Sequence, residues 1–333
     1  MPSRHTVVVT EAPYFSETMG VILRQVDADI RLAPCFTEEE VVSQTSGAEV
    51  IVTTKSRFPR SVLEKLPDCR FILRCGIGLD NFDLKAATER GILIAYLPDW
   101  YHEDLTDHIV AFILNSTRKI NYIDHLVKQG KFSYKRIFPI HQLKNQILGI
   151  IGFGKIPRFL LSKLLPFKFR ILVYDPYANS FPEGVEKVDL DRLLKQADII
   201  SIHCPLNEET RGLIGERAFS LMKPGVYIIN TARGEIIDEN ALLKALRENR
   251  IAGAALDVFS QEPPAPDHPI LQFENVIITP HMAWYSEEAL EEARTRAAEE
   301  VVGFFKGKMP SYPANPESST LLFNPKDRTR TTG

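Results

Sequence analysis

One stretch near the middle of the chain combines a strand pattern, a glycine turn and a helix pattern in an order that few folds accommodate. The apolar run Ile147–Ile151 is typical of a strand that is buried on both faces. Gly152-Phe153-Gly154 follows directly, and an apolar helix is predicted from Ile156 to Leu165. A second strand, Ile171–Tyr174, ends on Asp175. The stretch therefore predicts one βαβ unit with glycines at its first turn and a carboxylate at the tip of its second strand.

The residues at this turn suit a dinucleotide cofactor. Gly152 permits a tight turn, and Gly154 lets backbone N–H groups approach a pyrophosphate. The N–H groups of Lys155 and Ile156 open the helix, whose start adds a partial positive charge. Asp175 lies about 20 residues beyond the glycines, which is the spacing of a carboxylate that binds the adenosine ribose. A 2′-phosphate would face that carboxylate with no arginine beside it, so the pattern favours NAD over NADP.

One position departs from the dinucleotide fingerprint, because Pro157 stands where a third glycine is expected. Proline is tolerated in a first helical turn, since its missing N–H would have no intrahelical partner there. We expect the helix to pack more loosely on its strand at this point.

Composition and charge limit the class of protein. The 333 residues suffice for two domains, and a net charge of −3 provides no basic surface for nucleic acid or for a membrane. The longest apolar runs are too short to span a bilayer. The four cysteines form no CxxC pair and no cluster with histidine, so we predict no metal site. No signal peptide is evident before the first strand, and we expect a reduced, cytoplasmic setting.

Short strands alternate with helical patterns over the first hundred residues, which predicts a second α/β unit with a parallel sheet. Its predicted strands are Thr6–Thr10, Asp29–Leu32, Val50–Thr53, Arg70–Arg74 and Ile92–Ala95. A long helix is predicted next, from Glu103 to Gly130, and residues 131–145 form an irregular arm.

Four further strands are predicted after the βαβ unit: Ile199–His203, Val226–Asn230, Ala254–Val258 and Val276–Thr279. A final helix is predicted over Glu287–Phe305. The polar tail from Pro310 onward is expected to be largely disordered.

Three chemically distinct side chains follow three of these strands. Arg233 comes after the strand that ends at Asn230, Glu262 lies on a proline-containing loop after the next strand, and His281 follows the strand beyond. Because the carboxyl ends of parallel strands meet at one edge of a sheet, we expect these side chains to share the edge of the glycine turn.

A cation, an acid and an imidazole together match the reduction of a 2-keto acid. Arg233 has the two-pronged geometry that holds a carboxylate and polarises a ketone. His281 suits the role of general acid, and Glu262 would orient its ring. The nicotinamide would supply the hydride. Each residue alone is compatible with a surface or structural role; their joint occurrence favours a catalytic set.

The sequence resembles the D-isomer-specific 2-hydroxyacid dehydrogenases along essentially all of residues 6–308. The matching segments are Arg74–Asn81, Gly149–Ile156, Asn230–Asp238, Gly253–Pro264 and Pro280–Ser286. The resemblance implies an α/β protein of two Rossmann-like or flavodoxin-like domains, with the NAD domain inserted into a split substrate domain. Residues 1–100 and the helix 286–309 would form the substrate domain, residues 101–285 the NAD domain, and 310–333 a flexible tail. The helix and arm over 103–145 would form the contact of a homodimer.

The resemblance also implies roles for individual residues. Arg233, Glu262 and His281 would be the catalytic trio, and the backbone amides of Gly76, Ile77 and Gly78 would hold the substrate carboxylate. The implied cofactor contacts are Gly152, Gly154, Lys155, Ile156, Asp175, Cys204, Thr231 and Asp257.

Three further residues have two interpretations each. Residues 281–286 look most like the C-terminal-binding-protein branch, which has a tryptophan facing the substrate. Trp284 is accordingly either a pocket wall or a core aromatic that anchors the last helix. Lys55 and Arg74 either meet a second acidic group on the substrate or are solvated surface charges.

These observations predict an NAD-dependent oxidoreductase that interconverts a D-2-hydroxy acid and a 2-keto acid. A dicarboxylic or phosphorylated substrate, malate-like or 3-phosphoglycerate-like, is compatible with the nearby cations. The alternative is an NAD(H)-sensing, corepressor-like binding protein with incidental turnover. Neither nucleic acid nor membrane is an expected partner.

Overall fold

The computed structural model describes residues 5–11, 15–133 and 139–319. The chain divides into two compact units. The first unit contains the described residues up to Trp100 and those from Ser286 onward, and the second unit is Tyr101–Tyr285.

Five parallel strands form the sheet of the first unit. They are β1 (His5–Val9), β2 (Ala28–Leu32), β3 (Val50–Thr53), β4 (Phe71–Arg74) and β5 (Leu93–Tyr96). The sheet order is β2-β1-β3-β4-β5, which is the flavodoxin-like order. The helices that follow β1 to β4 are α1 (Glu17–Leu23), α2 (Glu38–Gln44), α3 (Arg60–Leu63) and α4 (Leu84–Glu89). All four residues of β3 are buried, as expected for a central strand covered on both faces.

The second unit has a sheet of seven parallel strands. They are β6 (Ile147–Ile151), β7 (Arg170–Tyr174), β8 (Val185–Lys187), β9 (Ile199–Ile202), β10 (Val226–Asn230), β11 (Ile251–Leu256) and β12 (Val276–Ile278). The helices are α5 (His102–Arg118), α6 (Ile120–Lys128), α7 (Lys155–Leu164), α8 (Leu190–Gln196), α9 (Glu216–Leu221) and α10 (Glu239–Arg247). The prediction of two α/β units with parallel sheets is confirmed.

The strand order of the second unit, β12-β11-β10-β9-β6-β7-β8, contains a topological switch point. From β6 the chain builds outward through β7 and β8, and then returns to place β9 on the other side of β6. Ligands of such sheets bind in the crevice at the carboxyl ends of the strands beside this point. The glycine turn after β6 and the loop after β9 therefore lie where a ligand site is expected.

The last helix, α11 (Glu287–Phe305), belongs to the first unit and packs against α1. Ser286 caps its amino end by accepting a hydrogen bond from the N–H of Ala289. Phe304 near its carboxyl end stacks on Phe71 of β4, with ring centroids 4.8 Å apart.

One expectation about the helices was wrong, and the expectation about the tail is corrected over part of its length. The single helix predicted over 103–130 is two helices, because Lys119 takes a left-handed conformation (φ 55°) that ends α5 and starts α6. The tail expected to be disordered from Pro310 is ordered over residues 310–319. Buried Asn315 accepts a hydrogen bond from Ile94 N–H and donates one to the Ile92 carbonyl, so this segment is fixed to β5. Residues 320–333 lie outside the described residues.

Two kinds of feature are absent from the described ranges. None of the helices there combines the length and the hydropathy needed to cross a membrane. In the same ranges, histidine, cysteine and acidic side chains nowhere come together in a group of three that could bind a metal ion.

Candidate active site

Gly152 forms the turn at the carboxyl end of β6, where two backbone segments cross closely. Its φ is +88°, which residues with side chains rarely adopt. A Cβ at this position would lie 2.5 Å from the nitrogen of Cys204, in the loop after β9. Both the turn and the close crossing at the switch point therefore require glycine.

Gly154 is the N-cap of α7, and it meets a different requirement. Apart from its two chain neighbours, no described residue has an atom within 4 Å of a Cβ added there, so the space above the helix start is open among the described residues. Lys155 and Ile156 provide the first N–H groups of α7, which have no intrahelical partner. Pro157 is buried at the third helical position, where its missing N–H leaves no gap in the helix ladder. An open, amide-lined helix start fits a pyrophosphate group.

Asp175 follows β7 and is held by backbone hydrogen bonds. Its Oδ2 accepts from Phe153 N–H at 2.6 Å, and its Oδ1 accepts from the N–H groups of Tyr177 at 2.7 Å and Ala178 at 2.9 Å. Burial by itself raises the pKa of Asp175, but these hydrogen bonds outweigh it and hold the pKa below its usual value. The carboxylate is therefore ionised and fixed beside the glycine turn. Its remaining lone pairs can accept from ribose hydroxyls.

Two more predicted cofactor residues follow neighbouring strands. Cys204 comes after β9 and is buried, and burial raises the pKa of its thiol to about 11. The thiol is therefore neutral at physiological pH and packs as an apolar group. Thr231 directly follows β10 and is half-buried.

Asp257 follows β11 and anchors the loop that carries His281. It is 1% exposed. Its Oδ1 accepts from Thr279 Oγ at 2.5 Å and Met282 N–H at 2.9 Å, and its Oδ2 accepts from Ala283 N–H at 2.9 Å. Its backbone carbonyl accepts from His281 N–H at 2.8 Å. Asp257 therefore shapes the backbone on both sides of His281, which is a structural role that the sequence does not reveal.

His281 and Glu262 are in direct contact. The Nδ1 atom of His281 lies 2.6 Å from Oε2 of Glu262, and each side chain is 33% exposed. Glu262 in turn accepts from the N–H of Phe259 at 3.1 Å through Oε1. With Nδ1 bonded to the carboxylate, Nε2 is the ring nitrogen that can exchange a proton with a substrate. His281 has a φ of +54°, a conformation that the hydrogen bonds of Asp257 hold in place.

Arg233 lies two positions beyond Thr231, on the loop after β10. Asn230 holds this loop, because its side chain donates to the Arg233 carbonyl at 2.8 Å and accepts from Ala232 N–H at 3.0 Å. Gly234 brings the loop against the segment that leads to Glu262. A Cβ at Gly234 would lie 2.0 Å from the carbonyl carbon of Phe259, so only glycine allows this approach. The loops that carry Arg233 and Glu262 are thus in direct backbone contact, which positions both residues.

Trp284 braces the His281 loop. Its Nε1 donates to the carbonyl of His281 at 3.0 Å, and its ring meets Tyr285 edge-on at 5.6 Å. The half-buried ring supports the loop that holds the histidine, and this contact is compatible with either of its two interpretations.

His108 of α5 contributes to the hydrogen bonds that hold the His281 loop, and the sequence did not indicate this role. Its Nε2 lies 3.1 Å from Thr279 Oγ, which in turn bonds Asp257. Burial, opposed by the nearby Asp257 charge, lowers the pKa of His108, so the ring is neutral near pH 7. The chain from His108 through Thr279 to Asp257 ties α5 to the His281 loop.

The predicted substrate residues of the first unit lie on two loops. Arg74 Nε donates to the Gly78 carbonyl at 2.9 Å, so Arg74 braces the turn over residues 76–78. Lys55 is exposed, and its N–H donates to Glu11 at 3.0 Å. Glu11 was missed from the sequence; its carboxylate also accepts from the N–H groups of Thr54 and Ser56 and so fixes the Lys55 turn.

Comparison with known proteins places this geometry in a family. The family model described as "D-isomer specific 2-hydroxyacid dehydrogenase, NAD binding domain" matches residues 110–283. A D-3-phosphoglycerate dehydrogenase from Archaeoglobus fulgidus is 35% identical over 303 residues, which are 90% of this chain and 57% of that protein. A glyoxylate reductase from Korarchaeum cryptofilum is 37% identical and aligns over 77% of this chain and 79% of its own length.

Comparison with solved structures supports the same family. A D-lactate dehydrogenase from Aquifex aeolicus, solved with NAD and lactic acid, superposes with a TM-score of 0.81 at 30% identity, and the match covers 91% of this chain and 96% of that one. The chain spans about half the length of the phosphoglycerate dehydrogenases that it matches. By the family model and by these relatives, the chain belongs to the D-isomer specific 2-hydroxyacid dehydrogenase family.

Proposed function

We propose that this protein is an NAD-dependent dehydrogenase that interconverts a D-2-hydroxy acid and a 2-keto acid. The observation that carries the proposal is the 2.6 Å contact between His281 and Glu262, on a loop anchored by Asp257. Arg233 follows a strand of the same sheet, at the same edge as the Gly152 turn.

The fit of the second unit to NAD supports the proposal. The open helix start at Gly154 accommodates a pyrophosphate, and the ionised Asp175 beside it suits ribose hydroxyls. A 2′-phosphate would meet the Asp175 carboxylate, so NAD is preferred over NADP. When bound, the nicotinamide supplies or accepts the hydride.

The chain's own residues bind the negative charge of the substrate and transfer the proton. Arg233 binds the substrate carboxylate and polarises the carbonyl at C2. His281 donates a proton from Nε2 to the carbonyl oxygen during reduction, and takes it back during oxidation. Glu262 fixes the orientation and tautomer of the ring through Nδ1, which leaves Nε2 to face the substrate. Asp257 and Trp284 hold the loop in position.

The first unit is proposed to be the substrate domain. Backbone N–H groups of Gly76, Ile77 and Gly78 would bind the substrate carboxylate, on a turn that Arg74 stiffens. Lys55 is exposed on its turn and would meet a second acidic group, as in a malate-like or 3-phosphoglycerate-like substrate. The names of the relatives, which include glyoxylate, hydroxypyruvate and 3-phosphoglycerate enzymes, support a substrate of this class.

A homodimer and a cytoplasmic setting belong to the same proposal. Ile120 and Val127 of α6 and Phe132 of the following arm are exposed, Phe132 to 88%, which suits burial against a second copy. All four cysteines are free and buried, which suits a reducing compartment.

The test is NADH oxidation across a panel of glyoxylate, pyruvate, hydroxypyruvate, oxaloacetate and phosphohydroxypyruvate. We expect turnover with at least one keto acid, and its loss in Arg233→Ala and His281→Asn. Asparagine tolerates the left-handed backbone at position 281. His268→Asn is a matched control, since His268 makes another 2.6 Å contact with a carboxylate, that of Glu239, elsewhere in the second unit.

Two outcomes would contradict the proposal. Full turnover in His281→Asn would remove the proposed proton donor. NADH-driven dimerisation with no turnover of any keto acid would instead support the sensor function that the sequence left as the alternative.

A further inference from the structure

One carboxylate of the first unit is enclosed by hydrogen-bond donors from a turn that is distant in the sequence. Glu11 follows β1, and the turn over residues 54–56 follows β3, the strand that pairs with β1. Oε2 of Glu11 accepts from the N–H of Thr54 at 2.8 Å. Its Oε1 accepts from the N–H groups of Lys55 at 3.0 Å and Ser56 at 3.2 Å. Three consecutive backbone N–H groups therefore converge on this carboxylate.

Two hydroxyl groups complete the enclosure. Oε2 also accepts from the hydroxyl of Thr10 at 2.8 Å, and Oε1 lies 3.1 Å from the hydroxyl of Ser56. Both hydroxyl-bearing residues are buried. A backbone segment whose successive N–H groups point inward is a nest that binds anions. Here the chain itself supplies the anion, so the shape of the turn depends on the carboxylate of Glu11.

The middle residue of this turn, Lys55, is exposed. Within the part of the chain that the structure describes, its ammonium group is in no ion pair, and it is the backbone N–H of Lys55 that Glu11 binds. Glu11 thus fixes the backbone of Lys55 and leaves the charge of the side chain available. Fixing the base of a long side chain limits the positions that its charged end can reach.

The same turn is tied to the loop that contains residues 76–78. The side chain of Asn81 donates to the carbonyl of Ser56 at 2.6 Å, and the backbone carbonyl of Asn81 accepts from the N–H of Phe58 at 2.8 Å. These two bonds limit the separation between the turn and the loop. The N–H groups of the loop and the ammonium group of Lys55 therefore suit a substrate with two acidic groups.

We propose that Glu11 is a positioning residue that makes the enzyme selective for keto acids with a second acidic group. The inference rests on the proposed function, in which residues 76–78 bind the substrate carboxylate and Lys55 binds the second acidic group. In this arrangement Glu11 acts through Lys55 and not on the substrate itself. Loss of its carboxylate therefore weakens the binding of dicarboxylic or phosphorylated keto acids and spares keto acids with a single acidic group.

The test compares steady-state kinetics of the full chain with substrates of the two kinds. Glyoxylate has one acidic group, whereas oxaloacetate and phosphohydroxypyruvate have two. In Glu11→Gln an NH₂ group faces N–H donors that now bond the carboxylate, so the turn is displaced. We expect KM for the two-acid substrates to rise at least tenfold, with kcat and the KM for glyoxylate unchanged within about twofold.

Two further variants separate positioning from a general effect on folding. Lys55→Gln should raise the same KM, and combining it with Glu11→Gln should raise that KM no further, because Glu11 acts through Lys55. Glu40→Gln is the matched control in the same unit. Glu40 also accepts from two consecutive N–H groups, those of Phe36 at 2.7 Å and Thr37 at 3.0 Å, but it does so at the start of α2. It should leave both KM values unchanged.

Limited digestion with trypsin reports on the turn without any substrate. We expect Glu11→Gln to be cut after Lys55 at least tenfold faster than the parent, because the turn is no longer held. Cleavage after Lys65, an exposed lysine of the same unit, should be unchanged. Mass spectrometry of the fragments gives both rates.

Several results would overturn the role of Glu11. These are an unchanged KM for two-acid substrates in either single variant, an equal rise in KM for glyoxylate, or a further rise in the double variant. A parent protein with no preference for two-acid substrates, or unchanged cleavage after Lys55, would equally contradict it. Absence of turnover with every keto acid would instead contradict the proposed function.

Discussion

Replacing Asp257 tests whether the backbone around His281 is held for catalysis. In Asp257→Asn one oxygen can still accept from Thr279 and Met282, but an NH₂ group then faces the N–H of buried Ala283. Leaving that N–H unpaired costs about 1–3 kcal/mol. For a unit of this size, 1 kcal/mol lowers Tm by about 2–4 °C, so we expect a decrease of roughly 2–12 °C.

Activity should fall more than stability alone explains. A loop displaced by about 1 Å misplaces His281, and such a shift reduces kcat by up to about 100-fold. Thermal unfolding and NADH oxidation at 25 °C, well below the lowered Tm, separate the two effects.

Asp198→Asn is the matched control. Asp198 also accepts from a backbone N–H, that of Ile147 at 2.8 Å, and it pairs with Lys223, but it lies before β9 at the opposite edge of the sheet. We expect Asp198→Asn to lower Tm and leave kcat unchanged. If Asp257→Asn behaved in the same way, Asp257 would be only a stabilising residue and the reasoning would be refuted.

Other experiments test the cofactor preference, the contact at Gly234 and the burial of Cys204. Asp175→Ser should raise KM for NADH more than tenfold and KM for NADPH much less, and equal increases would show that the carboxylate does not contact the ribose. Because the folded-state pKa of Asp175 is lowered, its contribution to stability is present above about pH 4 and is lost as the pH falls further; acid titration of Asp175→Ser should show a weaker loss than the parent. Gly234→Ala should lower kcat about 100-fold by displacing Phe259, whereas Gly303→Ala in α11, where a Cβ meets only an ordinary contact, should not; the two are compared by steady-state kinetics. Cys204, whose thiol pKa is about 11, should resist iodoacetamide at pH 8 until the protein is unfolded, and rapid alkylation of the folded protein, detected by mass spectrometry, would contradict the burial.

Much of the fold could be predicted because its strands are apolar and separated by clear turns. The bounds of β3, β6, β10 and α11 match the prediction, and the other predicted strands differ by one to three residues at an end. Polar β8 was missed, since Val185-Glu186-Lys187 at the sheet edge carries no apolar run. The break at Lys119 was missed because neither glycine nor proline marks it.

The candidate site could be predicted in part, because its proposed catalytic side chains come directly after the ends of strands. The pairing of His281 with Glu262 could be anticipated from their types and positions. The residues that hold this pair in position could not be predicted, because their roles depend on three-dimensional contacts between residues distant in the sequence. Asp257 bonding three groups, Gly234 touching Phe259, and His108 reaching Thr279 from α5 are contacts of this kind.

Hydride transfer itself is the most direct test of the account. NADH that carries deuterium at both C4 positions of the nicotinamide is mixed with the best keto acid of the panel, and the product is analysed by NMR and chiral chromatography. The account predicts deuterium at C2 of a hydroxy acid of D configuration. A product without deuterium at C2, or one of L configuration, would contradict it.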